Sequence, residues 1–168
     1  MVAYARLMAG DEAGTRAALH AHRRELIDLK IVEHRGRIVS TAGDSLLIEF
    51  ESVVEAVQST AEIQRGMALR NAEVPEDWRI VFRIGINIGD IIVEGDDIHG
   101  DGFNVAARLQ TLADPGGICA AGVVFDQSKN KVDVGFQDLG LQSVKNIPEP
   151  VRAYRVLLEP EAVRTPEQ

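Results

Sequence analysis

Cysteine is nearly absent from this 168-residue chain, with Cys119 the single example. One thiol closes no intrachain disulfide, so the cytosol is the expected compartment and the core must hold the fold unaided. The neighbours of Cys119 in Gly-Ile-Cys-Ala-Ala-Gly are small or apolar, which suits a packed residue rather than a nucleophile. Positive charge is also scarce. Eighteen Lys and Arg face twenty-six Asp and Glu, for a formal charge of −8. That balance argues against nucleic acid as the main partner, which would need a basic face. It leaves nucleotide substrates open, because metal ions neutralise phosphates. Long hydrophobic runs are missing as well. The apolar stretch Ile118–Phe125 is much too short to span a bilayer, so no membrane contact is expected, and no basic segment followed by an apolar run marks a signal peptide. The Gly-Ile-Asn-Ile-Gly run at Gly85–Gly89 has the wrong spacing for a Walker or dinucleotide loop and lacks its lysine. There is no Gly-x-Ser-x-Gly elbow. His20, His22, His34 and His99 show no metal-ligand spacing, and all four are expected on solvated helices or loops. The same holds for the run His22-Arg23-Arg24, expected on the wet face of a helix.

What remains is ordinary globular material, 45% hydrophobic and 26% charged, enough for one domain with a real core. Apolar spacing predicts a helix over Asp11–His34, stopped near Gly36. Arg37–Thr41 and Leu46–Phe50 read as strands joined by a tight turn at Gly43-Asp44. Ser52 and Glu55 form a capping-box pattern ahead of a helix reaching Asn71. Alternation over Trp78–Gly89 predicts a strand, with Asp90–Glu94 as its return strand. Gly100–Ala113 reads as a helix capped by Asp101. Strands are expected at Ile118–Ala120, Val132–Asp138 and Val151–Leu158, with a short helix at Val123–Lys129. Residues 1–158 would form the domain and 159–168 a polar tail or linker. Hairpins and helices mixed along one chain predict an α+β fold.

Two stretches could carry chemistry. In Gly95–Leu109, acids, amides and glycines precede a helix on which Asn104 and Arg108 share one face. Backbone N–H groups at a helix start, with an Arg, can hold an anion. In Ile38–Phe50 an acid, Asp44, sits at the tip of a hairpin built from buried-type strands. A rigid hairpin suits a metal-binding carboxylate, although one carboxylate needs help from phosphates or a second acid. Taken one at a time, spacing favours a solvated loop and a turn residue.

Three runs occur in order: "GRIVSTAGDSLLIEF", "FRIGINIGDIIVEGDDIHGDGFNVAARL" and "VKNIPEPVRAYRV". Together they resemble the catalytic domain of class III nucleotidyl cyclases, the adenylate/guanylate cyclase family, over Met1 to about Leu157. The resemblance implies a ferredoxin-like βαββαβ-type sheet with helices on one face. It also implies cyclisation of ATP, with GTP as the other candidate, to 3′,5′-cyclic AMP and pyrophosphate, using two divalent ions, Mg²⁺ or Mn²⁺. Asp44 matches a metal-binding Asp, and the Met1 backbone carbonyl falls beside it. Asp97 matches the reader of the adenine amino group, with Ser40 at the place of a second purine contact. Asn104 matches the residue that positions the ribose, and Arg108 the one that stabilises charge on the α-phosphoryl group. Lys145 matches a lysine that touches the triphosphate. The family's sites form at a two-fold interface, so a homodimer is implied.

The chain departs from the family pattern in three ways. The position of the other metal Asp falls just before Met1, and the first, central strand precedes it too. Ala3 and Ala5 stand where Gly and Ser or Thr are usual. Ser40 replaces a lysine. These departures predict poor turnover for this chain, and an open place in the sheet that could lead to strand exchange or an altered dimer. They motivate the alternative of a degenerate cyclase-homology module that dimerises or senses nucleotide for an attached domain. An unrelated α+β binding domain is a third reading, since fold alone never fixes function.

Overall fold

The computed structural model describes residues 1–159. The expected tail, 159–168, lies outside them apart from Glu159. The fold is α+β, in two compact units, Met1–Phe82 and the chain from Arg83 onward.

The first unit begins with helices α1 (Tyr4–Gly10) and α2 (Glu12–His22), where one long helix from Asp11 was expected. Asp11 separates them. Its carboxylate accepts from Gly14 N at 2.9 Å and caps α2. The helix then loosens into a π-helix over Arg23–Ile27 before α3 (Asp28–Glu33). A π-turn carries one residue more than an α-turn and so re-aims the residues after it. It directs Leu26 onto Gly66 of the next long helix, where a Cβ would come within 2.7 Å of a Leu26 methyl.

Arg35, at φ 61°, turns the chain into the hairpin of β1 (Gly36–Ala42) and β2 (Ser45–Phe50). Gly43 opens its two-residue turn at φ 58°, a conformation that glycine adopts without strain. Helix α4 (Val53–Asn71) follows, with Ser52 Oγ accepting from Glu55 N at 3.3 Å. The core of the unit is Leu7, Ile27, Ile31, Ile63, Met67 and Ile80, flanked by Ile38, Leu46 and Ile48 of the hairpin.

The strand expected over Trp78–Gly89 is mostly not a strand. A 3₁₀ turn occupies Glu76–Trp78, and pairing is confined to β3 (Ile84–Ile86). Alternation reports which way side chains face, not whether a partner strand exists. Over 80–82 the backbone carbonyls bond to groups other than a strand. Asn71 Nδ2 donates to Ile80 O at 2.9 Å, Val2 N to Val81 O at 2.7 Å, and Gln64 Nε2 to Phe82 O at 3.0 Å. These three carbonyls are satisfied without a partner strand, and among the described residues the β1–β2 hairpin pairs only with itself and not with the four-stranded sheet.

The second unit is a four-stranded sheet in the order β3-β6-β8-β7, with β6 at Ile118–Ala121, β7 at Gly135–Gln142 and β8 at Val151–Leu157. β3 and β6 are parallel, and helix α5 (Asp101–Leu112) lies between them in the chain. All four residues of β6, Cys119 included, are buried. Burial pushes the Cys119 thiol upward in pKa, Arg155 opposing, so it stays an inert core group. Helix α6 (Gly122–Ser128) packs on β8, where Phe125 stacks on Tyr154 with ring centres 4.1 Å apart.

The return strand β4 (Ile92–Glu94) pairs forward with β5 (Asp97–His99), not back with β3. The glycines at 85 and 89 serve close packing. A Cβ on Gly85 would lie 2.3 Å from Ala106 O, so only glycine lets α5 settle on β3. No helix among the described residues is long and apolar enough to cross a membrane.

Candidate active site

The groups expected to do chemistry fall in both units. In the first, Asp44 follows Gly43 at the hairpin tip. Its side chain is 28% exposed, and the Met1 nitrogen lies 3.3 Å from Oδ2. The contact is made by the Met1 nitrogen, not by the backbone carbonyl that the resemblance placed beside Asp44. Ser40 sits half-buried on β1 opposite Leu47, just past a bulge between Ile38 and Ser40. A bulge locally reverses the inward–outward alternation, so the face Ser40 presents is not legible from strand parity. Ala3 caps α1 with φ 56° and ψ 32°, in the left-handed region. Alanine occupies a backbone conformation that the usual glycine would adopt freely.

In the second unit, Asp97 opens β5 and is exposed. Gly100, at φ 119°, turns the chain into α5. It is the N-cap, and Asp101 is the first helical residue rather than the cap expected. Asn87 Nδ2 donates to Gly102 O at 3.2 Å and ties the helix start to the residue after β3. Asn104 is half-buried one turn into α5, and Arg108 is exposed one turn later on the same face. Arg108 Nε donates to Ser143 O at 3.3 Å, and its Nη1 lies 3.4 Å from Thr111 Oγ1. The guanidinium therefore rests on the segment that carries exposed Lys145 two residues on. The exposed Arg108 guanidinium, with exposed Lys145 on the segment it touches, suits this face to phosphate. Thr111 stands three residues after Arg108, a helical spacing that could have signalled the contact, whereas the Ser143 carbonyl lies 35 residues away and no spacing points to it.

A cleft of about 580 Å³ opens at the N-terminal end of α5, lined by Asn87, Asp90, Gly100, Gly102 and Ile147 among others. Asp97, Asn104, Arg108 and Lys145 do not line it. The cleft and the cationic face are therefore separate features of this unit.

The histidines correct the expectation of four solvated rings. His34 is buried, and both its ring nitrogens meet carboxylates, Nδ1 with Glu55 Oε2 at 3.1 Å and Nε2 with Glu62 Oε2 at 3.0 Å. Glu55 therefore completes only half of the expected capping box, because its carboxylate is turned to His34. His22 is half-buried, and Arg70 Nε donates to its Nδ1 at 2.8 Å. Within His22-Arg23-Arg24, only Arg24 is exposed.

Comparison with known proteins places this arrangement. No protein-family model matches the chain. A crystal structure of an adenylate/guanylate cyclase/hydrolase from Silicibacter pomeroyi is 43% identical, covers 93% of this chain and 90% of its own, and superposes with a TM-score of 0.82. This chain belongs to the class III adenylate/guanylate cyclase family. A Rhizobium meliloti protein named "Putative adenylate cyclase 3" is also 43% identical over 153 residues, 91% of this chain. A Myxococcus xanthus serine/threonine-protein kinase, pkn2, is 26% identical over 82% of this chain. This chain spans only 26% of the Rhizobium protein's length and 16% of the Myxococcus protein's.

Proposed function

We propose that this cyclase domain converts ATP to 3′,5′-cyclic AMP and pyrophosphate, as a homodimer within an intracellular signalling protein. The ribose 3′-oxygen bonds to the α-phosphorus, the bond to the β,γ-pyrophosphate breaks, and the hydroxyl proton leaves to solvent or base. The observation that carries the reading is the pairing of Asn104 and Arg108 one turn apart on α5, with Arg108 resting on the Lys145 segment. Asn104 orients the ribose. Arg108 leaves the Ser143 carbonyl for the α-phosphoryl oxygens, whose charge grows as the bond breaks. Lys145 holds the triphosphate, Asp97 accepts from the adenine amino group, and Ser40 offers a hydroxyl to the purine. GTP is the competing substrate, because a hydroxyl at Ser40 both donates and accepts.

Asp44 fits one divalent cation. It is a partly exposed carboxylate at the hairpin tip with the Met1 nitrogen 3.3 Å away, and phosphate oxygens would complete its ligand set. An ion there supplies charge neutralisation and a more acidic ribose hydroxyl. Asp44 is not part of the trio of metal-capable side chains found among the described residues, Glu33, His34 and Glu62.

Incubating the chain with ATP and Mn²⁺, beside Arg108→Ala, tests the reading. Cyclic nucleotide from the parent and a large loss in the variant support it. Equal yields remove Arg108 from the chemistry. The strained Ala3 and the solitary Asp44 favour a second reading, a nucleotide-sensing module. Tight ATP binding with no product, in a chain extended upstream of Met1, would select it.

A further inference from the structure

Helix α3 ends at Glu33 with His34 as its C-cap, and two residues separate β2 from α4. The base of the β1–β2 hairpin is therefore where these two helix ends meet. His34 enters it as the residue after α3, and Glu55 belongs to the first turn of α4. Glu62 stands two turns further along α4 on the same side, since seven residues nearly complete two helical turns. The ring of His34 lies between these two carboxylates at 3.1 and 3.0 Å.

A neutral imidazole has one N–H and one lone pair. Both nitrogens of His34 face carboxylate oxygens, which only accept. A neutral ring would set a lone pair against a carboxylate on one side, in a buried place where that repulsion is poorly screened. With both carboxylates ionised, only the doubly protonated ring satisfies both contacts.

The other charges at the cluster are accounted for. From α3, Lys30 Nζ reaches Glu62 Oε1 at 2.9 Å and Glu33 Oε2 at 3.3 Å. On the hairpin, Arg37 is turned away to Glu49, with Nε 2.9 Å from Oε1. Glu33, His34 and Glu62 have the donor types of a metal site, but the Lys30 ammonium already supplies a cation to both glutamates.

We propose that Glu55, His34 and Glu62 form a proton-operated clasp, closed while both ring nitrogens of His34 carry hydrogen, that fixes the base of the hairpin bearing Asp44. Loss of the ring proton breaks one carboxylate contact and frees one helix end from the other. The inference rests on the first unit alone and does not depend on cyclase activity.

The direction of the pH response follows from the surroundings. Burial is the strongest single influence on His34 and disfavours its charge, yet the hydrogen bonds and charges of Glu62 and Glu55 together outweigh it and raise its pKa above 6.5. Burial likewise favours neutral Glu62, while Lys30 and His34 together prevail and hold its pKa below 4.5. A raised histidine contributes stability in full below its unfolded value, and the contribution fades as pH rises through the folded value. A lowered carboxylate contributes above its unfolded value, and the contribution fades as pH falls through the folded one. The clasp is closed between the two and opens on the alkaline side by losing the His34 proton.

NMR titration of the histidine rings in the full chain, with His34→Gln to assign the resonance, reads this directly. His34 should titrate above the ordinary histidine value of about 6.5, and its midpoint should fall in Glu55→Gln. Hydrogen exchange, corrected for the intrinsic pH dependence, should show β1–β2 amides losing protection as His34 deprotonates, while β6 does not. A His34 midpoint at or below the ordinary value of about 6.5 overturns the clasp, as does hairpin protection indifferent to its titration. If Zn²⁺ raises the melting temperature of the parent chain but not of His34→Gln, the cluster is a cation site and the clasp is likewise overturned.

Discussion

The two units hold their candidate groups by different means. In the first, Asp44 sits at the end of a hairpin, far along the chain from the residues that steady the hairpin's base. In the second, Asn104 and Arg108 stand on a helix pressed directly onto its sheet at Gly85. A hairpin tip inherits every loosening at its base, so its placement depends on distant contacts such as Glu55–His34–Glu62. A helix face inherits its placement from the backbone under it. The first arrangement is adjustable, and the second tolerates no adjustment.

Breaking each in turn sharpens that contrast. Arg108→Ala should cost the most, about 10²–10³-fold in turnover, because a charge that meets the developing phosphoryl charge is lost. The thermal midpoint should barely move, since the side chain is exposed. Asp44→Asn should match it in activity without touching α5. Gly85→Ala should destabilise by about 1–3 kcal/mol or more, because the new methyl would meet the Ala106 carbonyl and the Gln110 backbone with no flexible side chain to yield. Calorimetry reads that change, and turnover should fall with it as α5 lifts from β3. The smallest effect is expected at Ala3→Gly. Relief of the left-handed alanine, partly offset by greater freedom in the unfolded chain, should raise the melting temperature by no more than about 2–4 °C.

Much of the first unit was legible in the sequence, and the reasons are local. Gly43 with Asp44 between two β-rich runs specifies a two-residue hairpin, and Ser52 specifies where α4 starts. Elements that depend on distant partners were not legible. Alternation over Trp78–Gly89 was real, yet Asn71, Gln64 and Val2 take the carbonyls that a strand would have used. Asp90–Glu94 could have turned either way, and its partner is the Asp97–His99 segment that follows. The π-turn left no trace because its spacing differs from an α-helix by a single residue. His34 looked solvated because its partners lie 21 and 28 residues away. As for the site, spacing alone showed only that Asn104 and Arg108 share a face. Their roles, and those of Asp44, Asp97, Ser40 and Lys145, came from the resemblance, and the fold it implied is the one found.

His22 makes a related contrast with His34. Burial first, then the nearby Arg70 charge, lowers the pKa of His22 against the opposing pull of Glu25, so that ring stays neutral where His34 is charged. Arg70→Met should return His22 toward ordinary titration, a small change visible in the same ring resonances.

The π-helix at Arg23–Ile27 can be read as an insertion that the helix has absorbed. Removing one residue within it would restore regular α-helical geometry and turn every later position of that helix by about 100°. Ile31 would leave the core and His34 would swing off its glutamates, though neither residue had been altered. That single surplus residue sets the phase of the helix, and a one-codon deletion there should be more damaging than most substitutions along the same stretch.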